Sequence, residues 1–285
     1  MFSRQTSGSV VCPACGRLVA VAEKSCPHCG RARPGMWGFT ALFRSLGADL
    51  GFVRLVIGAC GVLYLVSLLA NPQALGMRGG LFSILSPDPF VLFRLGSSGF
   101  IPVVGYGRWW TVLSAGWLHG SLLHIAFNLM WIRDIAPAVA ELYGAGRMVL
   151  IYSVASASGF ALTTLVAFAA PGLPLMLHGA TSQTIGASAA IFGLFGALIA
   201  YGQRTGQSHM RRVVWGWILA GVVFGVVMQG VDNWAHAGGF LGGWLAAKAL
   251  DPLKPERTDH VIAAVVCLVA SAAAVVASIV AGGAN

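Results

Sequence analysis

The stretch TIGASAAIFGLFG, Thr184–Gly196, is apolar enough to lie in hydrocarbon, is rich in Gly and Ala, and carries a hydroxyl, that of Ser188, at the mouth of its apolar run. The apolar run from about Gly186 to Tyr201 falls short of the roughly 20 residues that cross a bilayer. It reads as a helix that begins inside the membrane, below one surface. Such a helix needs neighbours to bury its polar group, and the chain supplies them. Of its 285 residues, 57% are hydrophobic and 9% charged, more apolar surface than one water-soluble core can hold. Six further apolar runs lie at about Phe52–Ala70, Leu118–Ala140, Met148–Ala170, Val213–Val231, Trp234–Leu250 and Val261–Ala281. The pattern is that of an all-α polytopic membrane protein with seven spans.

The first 50 residues are polar and carry cysteines, without the charged, apolar and small-residue succession of a signal peptide, so the amino terminus is expected to stay in the cytoplasm. Lys and Arg gather in cytoplasmic loops. With the amino end inside, the inner segments hold Arg4, Arg17, Lys24, Arg31, Arg33, Arg44, Arg54, Arg133, Arg147, Arg204, Arg211, Arg212, Lys248, Lys254 and Arg257. Only Arg78, Arg94 and Arg108 fall outside, all in one long loop. Topology thus accounts for the net charge of +9, and nucleic acid is not needed as a partner.

Within VCPACGRLVAVAEKSCPHCGRARP, Cys12, Cys15, Cys26 and Cys29 form two Cys-Pro-x-Cys-Gly knuckles. Two such pairs bring four thiolates within tetrahedral reach of one Zn²⁺, and the glycine after each pair permits a tight turn. Disulfides are the alternative, and a reducing cytoplasm disfavours them. The intervening RLVAVA alternates weakly and suits a small hairpin. Cys60 and Cys267 lie singly in apolar runs and read as small hydrophobes. Residues 36–51 form a linker whose MWGFTALFRSL suits the membrane surface. The loop from Asn71 to about Trp117 is long, proline-bearing and aromatic, which predicts a structure half-embedded at the interface.

Polar groups inside spans are costly unless partnered, so each marks a candidate site. WLHGSLLHIAFNLMW places His124 and Asn128 at i and i+4 on one helix face, with His119 about a turn earlier. VDNWAHAGGFLGGW supplies His236. Spans two, four and six all run from outside to inside, so His124, Ser188 and His236 share a depth near the outer face. Ala189, Gly193, Gly196 and Ala200 line one side of the fourth span; His236, Gly239 and Gly243 line one side of the sixth. Small residues let helix backbones approach in lipid. Close approach puts Ser188 Oγ in reach of the His236 imidazole, as a serine nucleophile requires of its base. Taken singly, each residue has a plainer use: the serine in packing, a histidine on a backbone carbonyl, the asparagine between helices. Shared depth and a glycine seam favour the joint reading. No strand precedes Gly186-x-Ser188, and Ala190 replaces the second glycine of a soluble hydrolase elbow.

At these residues the chain resembles the rhomboid intramembrane serine proteases, over about Asp49 to Leu250. HIAFN matches the family's His-x-x-x-Asn, GAS its Gly-x-Ser, and AHAGGFLGG its Ala-His-x-x-Gly-x-x-x-Gly. The resemblance implies a Ser188–His236 dyad without an acidic third member. It also implies an oxyanion hole from the His124 and Asn128 side chains and the Ser188 N–H, consistent with donors aimed at developing negative charge. Phe192 fits the family's aromatic that packs on the catalytic imidazole, and Glu141 the acidic residue closing the second helix. His119, Gly186, Gly239 and Gly243 are expected near the site. Two positions depart from the pattern: Ala189 stands where glycine often follows the serine, and the usual Trp-Arg aligns with Trp110-Thr111, Arg108 lying on the other side of the Trp.

The expected organisation is a zinc-ribbon-like cytoplasmic module over 1–35, a linker over 36–51, a six-helix protease core over 52–250 and a seventh C-terminal membrane helix over 251–285. The expected activity is hydrolysis of peptide bonds in or beside transmembrane segments of protein substrates. The setting is the bacterial cytoplasmic membrane, with the active site toward the outer face. Catalysis needs no cofactor, zinc is structural, and the module is a candidate docking point for a cytoplasmic partner. A water-filled cavity lined by His119, His124, Asn128, Ser188 and His236, rimmed by Thr181, Ser182, Gln183 and Thr184, is expected to open outward. A catalytically silent protein binding membrane clients is the alternative, disfavoured by retention of Ser188 and His236. A transporter is disfavoured further, since no acidic residue beyond Asp134 lies within a span.

Overall fold

The computed structural model describes residues 4–13, 15–40, 45–72, 83–170, 182–228 and 230–283. Arg44, Arg78 and Thr181, and part of the MWGFTALFRSL segment, lie outside the described residues. Seven long helices account for the seven apolar runs: α1 Phe52–Leu69, α3 Leu122–Tyr143, α4 Ala145–Ala169, α5 Ser188–Thr205, α6 Ser208–Val227, α7 Asn233–Ala249 and α8 Thr258–Gly283. Five of them, all but α5 and α7, are long and apolar enough to cross a membrane by length and composition. The two short ones occupy the middle of the bundle. Residues 189–200 of α5 are all buried, and α5, α7 and α4 pack against one another more extensively than any other helices.

Glycine makes that packing possible. A methyl on Gly196 would lie 2.6 Å from the Phe240 carbonyl oxygen, and one on Gly159 would lie 2.6 Å from that of Ala235. Methyls on Gly239 and Gly243 would strike the backbones of Ala189 and Gly193. The predicted stripes on α5 and α7 therefore face each other directly.

The loop between α1 and α3 is ordered where described. It contains a short helix, α2 Pro89–Leu95, started by proline and capped by Asp88. A π-turn at Ile101–Gly105 and a helical turn at Thr111–Ser114 follow. The start of α3 departs from the predicted Leu118. Leu118 is extended, and the helix begins at Leu122 after Ser121, whose Oγ accepts the His124 N–H at 3.2 Å. His119 therefore precedes the helix instead of occupying a turn of it. A polar cap outweighs an apolar pattern in setting a helix start.

At the amino end, β1 Ser9–Val11 pairs antiparallel with β2 Leu18–Ala20. The predicted hairpin within RLVAVA thus uses Leu18–Ala20 as one strand only. Its partner lies upstream of the first knuckle, because the knuckle turn is what reverses the chain.

Candidate active site

Ser188 is the first residue of α5, and Ala187 before it provides no side-chain cap. The opening N–H groups of a helix lack intrahelical acceptors and carry its positive end, so they are left to whatever occupies the site. The other two site helices are capped: α3 by Ser121 and α7 by Asp232, whose Oδ1 accepts the Ala235 N–H at 2.9 Å. Asp232 Oδ2 also accepts the Thr163 hydroxyl of α4 at 2.7 Å. His236 stands one turn beyond this anchor, and its own N–H bonds the Asp232 carbonyl.

Ser188 Oγ lies 2.9 Å from His236 Nε2. Phe192, one turn along α5, stacks on the His236 ring with centroids 4.2 Å apart and planes 8° from parallel. Among the described residues His236 Nδ1 has no hydrogen-bond partner, so no carboxylate completes a triad. A neutral imidazole whose Nε2 accepts from the serine carries its proton on Nδ1.

His124 Nδ1 accepts the Gly120 N–H at 3.2 Å, which assigns its proton to Nε2. That nitrogen faces the chain entering α5, and a methyl on Gly186 would sit 2.5 Å from it. Gly186 has φ +119°, so both the ring contact and the backbone require glycine. Asn128 is buried and donates through Nδ2 to the His124 carbonyl at 2.8 Å. Its second amide hydrogen is the one left for a ligand. Ser188 and His124 are half-buried, whereas His119 has no exposed surface and stands edge-on behind His124, centroids 5.1 Å apart. His119 thus lies beneath the site and does not line an open cavity. Ser182 is exposed and Gln183 partly so at the rim, while Thr184 is buried. Glu141 is exposed in the last turn of α3.

The depth of the serine follows from helix length. At the opposite end, Arg147 of α4 and Arg204 of α5 both bind Asp251, the former through Nη1 on its carbonyl, the latter at 3.0 Å from its carboxylate. From that level α4 rises 22 residues to Ala169 and α5 rises 16 to Ser188, about 33 Å against about 24 Å. Ser188 therefore stops about 9 Å short of the end of α4.

Sequence reasoning did not find Thr163 and Asp232. Asp232-x-x-Ala235 at the start of an apolar run is a legible capping signal; the Thr163 contact joins residues far apart in the chain and has none.

The four knuckle cysteines form a separate cluster. Their sulfurs all lie within 4.8 Å of one another, with Cys12–Cys29 at 3.8 Å and Cys15–Cys26 at 3.7 Å. Four sulfurs about 2.3 Å from a tetrahedral ion are about 3.8 Å apart, so the set fits a metal, and a disulfide at about 2.05 Å does not describe it. Gly16 and Gly30, at φ +72° and +73°, donate N–H to the Cys12 and Cys26 carbonyls at 2.9 Å each, giving two equivalent turns. Burial raises the Cys26 thiol, but the N–H groups of His28 and Cys29 bring it down to about 7.

Residues 106–252 match the Rhomboid domain. Rhomboid protease GluP of Bacillus subtilis is 31% identical over 173 residues, 60% of this chain and 32% of that protein. RHOMBOID-like protein 7 of Arabidopsis thaliana is 30% identical over 166 residues, covering 57% of this chain and 49% of that protein. The chain thus spans about a third of the length of the first and about half of the second. The putative rhomboid protease YdcA of Bacillus subtilis is 30% identical over 171 residues, 58% of this chain and 79% of that protein. The matched segment contains α3 to α7 and every residue of the Ser188 site, and with several membrane-length helices around it the chain is an integral membrane protein that belongs to the rhomboid family.

Proposed function

We propose that this chain is an intramembrane serine protease using Ser188 and His236 as a dyad. The observation that carries the reading is the 2.9 Å approach of His236 Nε2 to Ser188 Oγ at an uncapped helix start. His236 takes the hydroxyl proton as Oγ attacks the scissile carbonyl, then returns it to the leaving amine, and water releases the acyl group. The tetrahedral oxyanion receives the Ser188 N–H, the positive end of α5, the His124 Nε2–H and the second amide hydrogen of Asn128. These donors are fixed beforehand, which is where such stabilisation is strongest. Phe192 holds the imidazole plane. Substrates are membrane proteins presenting a peptide bond near the outer leaflet, with the amino terminus of this chain in the cytoplasm.

A fluorophosphonate probe, which phosphonylates an activated serine, tests the reading directly. Wild-type protein in detergent or bilayer is expected to label, and Ser188→Ala to remain unlabelled. Equal labelling of both, or of neither, counts against it.

The two polar residues of α3 differ in expected weight. His124→Ala removes a donor already directed at the site, and turnover is expected to fall about 100-fold or more, as for other oxyanion donors. Asn128 already bonds the His124 carbonyl, so Asn128→Ala is expected to cost less, about 10-fold. Turnover of a model transmembrane substrate by each purified variant checks the order; a larger loss at Asn128 reverses the assignment.

We further propose that the cysteine cluster holds one structural Zn²⁺. Four thiolates complete a tetrahedral shell and leave no position for water or substrate.

A further inference from the structure

We infer that α8, which lies outside the segment matched to the family, braces the backbone leading to Ser188, with Arg108 and Ser278 as positioning residues. The inference rests on the protease reading above for its catalytic consequence, but not for its structural part.

Arg108 is buried, and its guanidinium clamps two elements at once. Nη1 donates to the Phe93 carbonyl in α2 at 2.9 Å, and Nη2 donates to the Ser278 carbonyl in α8 at 2.8 Å. The cation also stands 4.5 Å over the Phe93 ring. Trp110 donates its indole N–H to Ser278 Oγ at 3.1 Å. Glycines let the pieces close: a methyl on Gly96 would sit 2.7 Å from Ser278 Oγ, and one on Gly282 would sit 3.1 Å from Arg94 Cα. This is where the displaced Arg108 goes: its position beside the Trp directs it to α8.

The clamped loop in turn laces the strand-like approach to α5. Ser98 and Thr184 exchange both backbone hydrogen bonds, at 3.0 and 2.8 Å, and Gly186 donates to the Ala115 carbonyl at 3.0 Å. Gln183 Nε2 donates to the Pro89 carbonyl and to Ser97 Oγ, both at 2.8 Å. Ser114 Oγ donates to the Gly96 carbonyl at 2.7 Å and ties the two strips of loop together. A continuous set of contacts therefore runs from Ser278 to Gly186, two residues before the serine and against the His124 ring. Coupling through such a network is a matter of discrete contacts that can be broken one at a time.

Two measurements on full-length protein in bilayer nanodiscs test this, using Arg108→Lys, Ser278→Ala and Ser278→Thr. Lysine reaches one carbonyl where arginine reaches two. Alanine removes the indole's acceptor and threonine keeps it. The first measurement is amide exchange in a peptide spanning 182–187, which carries the Thr184 and Gly186 N–H groups. Exchange there is expected to quicken about 3- to 30-fold in Arg108→Lys and Ser278→Ala, and to stay near wild type in Ser278→Thr. The second is the rate constant of fluorophosphonate labelling at Ser188, expected to fall by a similar factor with the final labelled fraction unchanged. A purely structural weakening lowers the labelled fraction and leaves the rate constant of the folded molecules alone. Wild-type exchange at 182–187 in both weakened variants overturns the brace. Faster exchange with an unchanged rate constant overturns its role in positioning Ser188. Faster exchange in a protein whose wild type does not label at all leaves the brace standing and refutes the protease reading.

Discussion

Ser188→Ala and His236→Ala are each expected to bring cleavage of a transmembrane substrate to background, a loss of about 10⁴-fold or more, with the double variant no slower than either. The reason is that neither residue does its part alone. Without the imidazole the hydroxyl keeps its proton, and without the hydroxyl the imidazole has nothing to activate. Losses within one catalytic unit do not add. The rate that survives in all three variants is expected to be the same small residue, supplied by the α5 start and His124, since oxyanion donors and binding remain. Turnover of purified variants, with folded protein verified by melting temperature, checks this. A double variant much slower than both single ones shows that the two side chains act in separate steps, and the dyad assignment fails.

The second large effect is expected at the other end of the chain. Chelation of zinc is expected to unfold the amino-terminal module completely while leaving Ser188 labelling intact. The buried core of that module consists of Val10, Cys12, Val19, Val21 and Cys26, too few side chains to offset the entropy of ordering it. Metal ligation in small Cys-rich modules supplies about 10–16 kcal/mol at neutral pH, far more than such a core. Full-length protein is expected to carry one zinc per chain, and Cys12→Ser or Cys26→Ser to lose it. Binding is expected to weaken as pH falls, because protons compete with the metal for thiolates. Amide exchange over residues 9–32 before and after chelation reads the folding. Protection that survives metal removal refutes the structural role, and loss of labelling on chelation shows that the module supports catalysis.

The helices and the Ser188 constellation were legible because their signals are local. Apolar runs of membrane length, a histidine and asparagine four residues apart, and glycines at helical spacing each sit within a few turns of sequence. The close α5–α7 contact was legible for the same reason: a stripe without side chains on each of two helices has one economical use in lipid. Where the reading missed, a polar group redirected the backbone or joined distant segments. Ser121 capped α3 four residues after the expected start, which moved His119 off the helix and under the site. β2 paired across the knuckle turn, which no alternation inside RLVAVA could reveal. Thr163 reaches Asp232, and Arg108 reaches Ser278 across 170 positions. One of two adjacent threonines in an apolar helix, and one of several arginines in a loop, carry no mark of such partners.

The shortness of α5 has a consequence for the surrounding lipid. Its neighbour α4 is long enough to span the hydrocarbon region of about 30 Å, whereas the helix bearing the serine is not. Acyl chains do not meet α5 itself, whose residues 189–200 are buried; at the level of Ser188 they meet the membrane-length helices around it. On the protease reading proposed above, a transmembrane substrate is therefore expected to leave the lipid and pass between those longer helices before its peptide bond reaches Ser188.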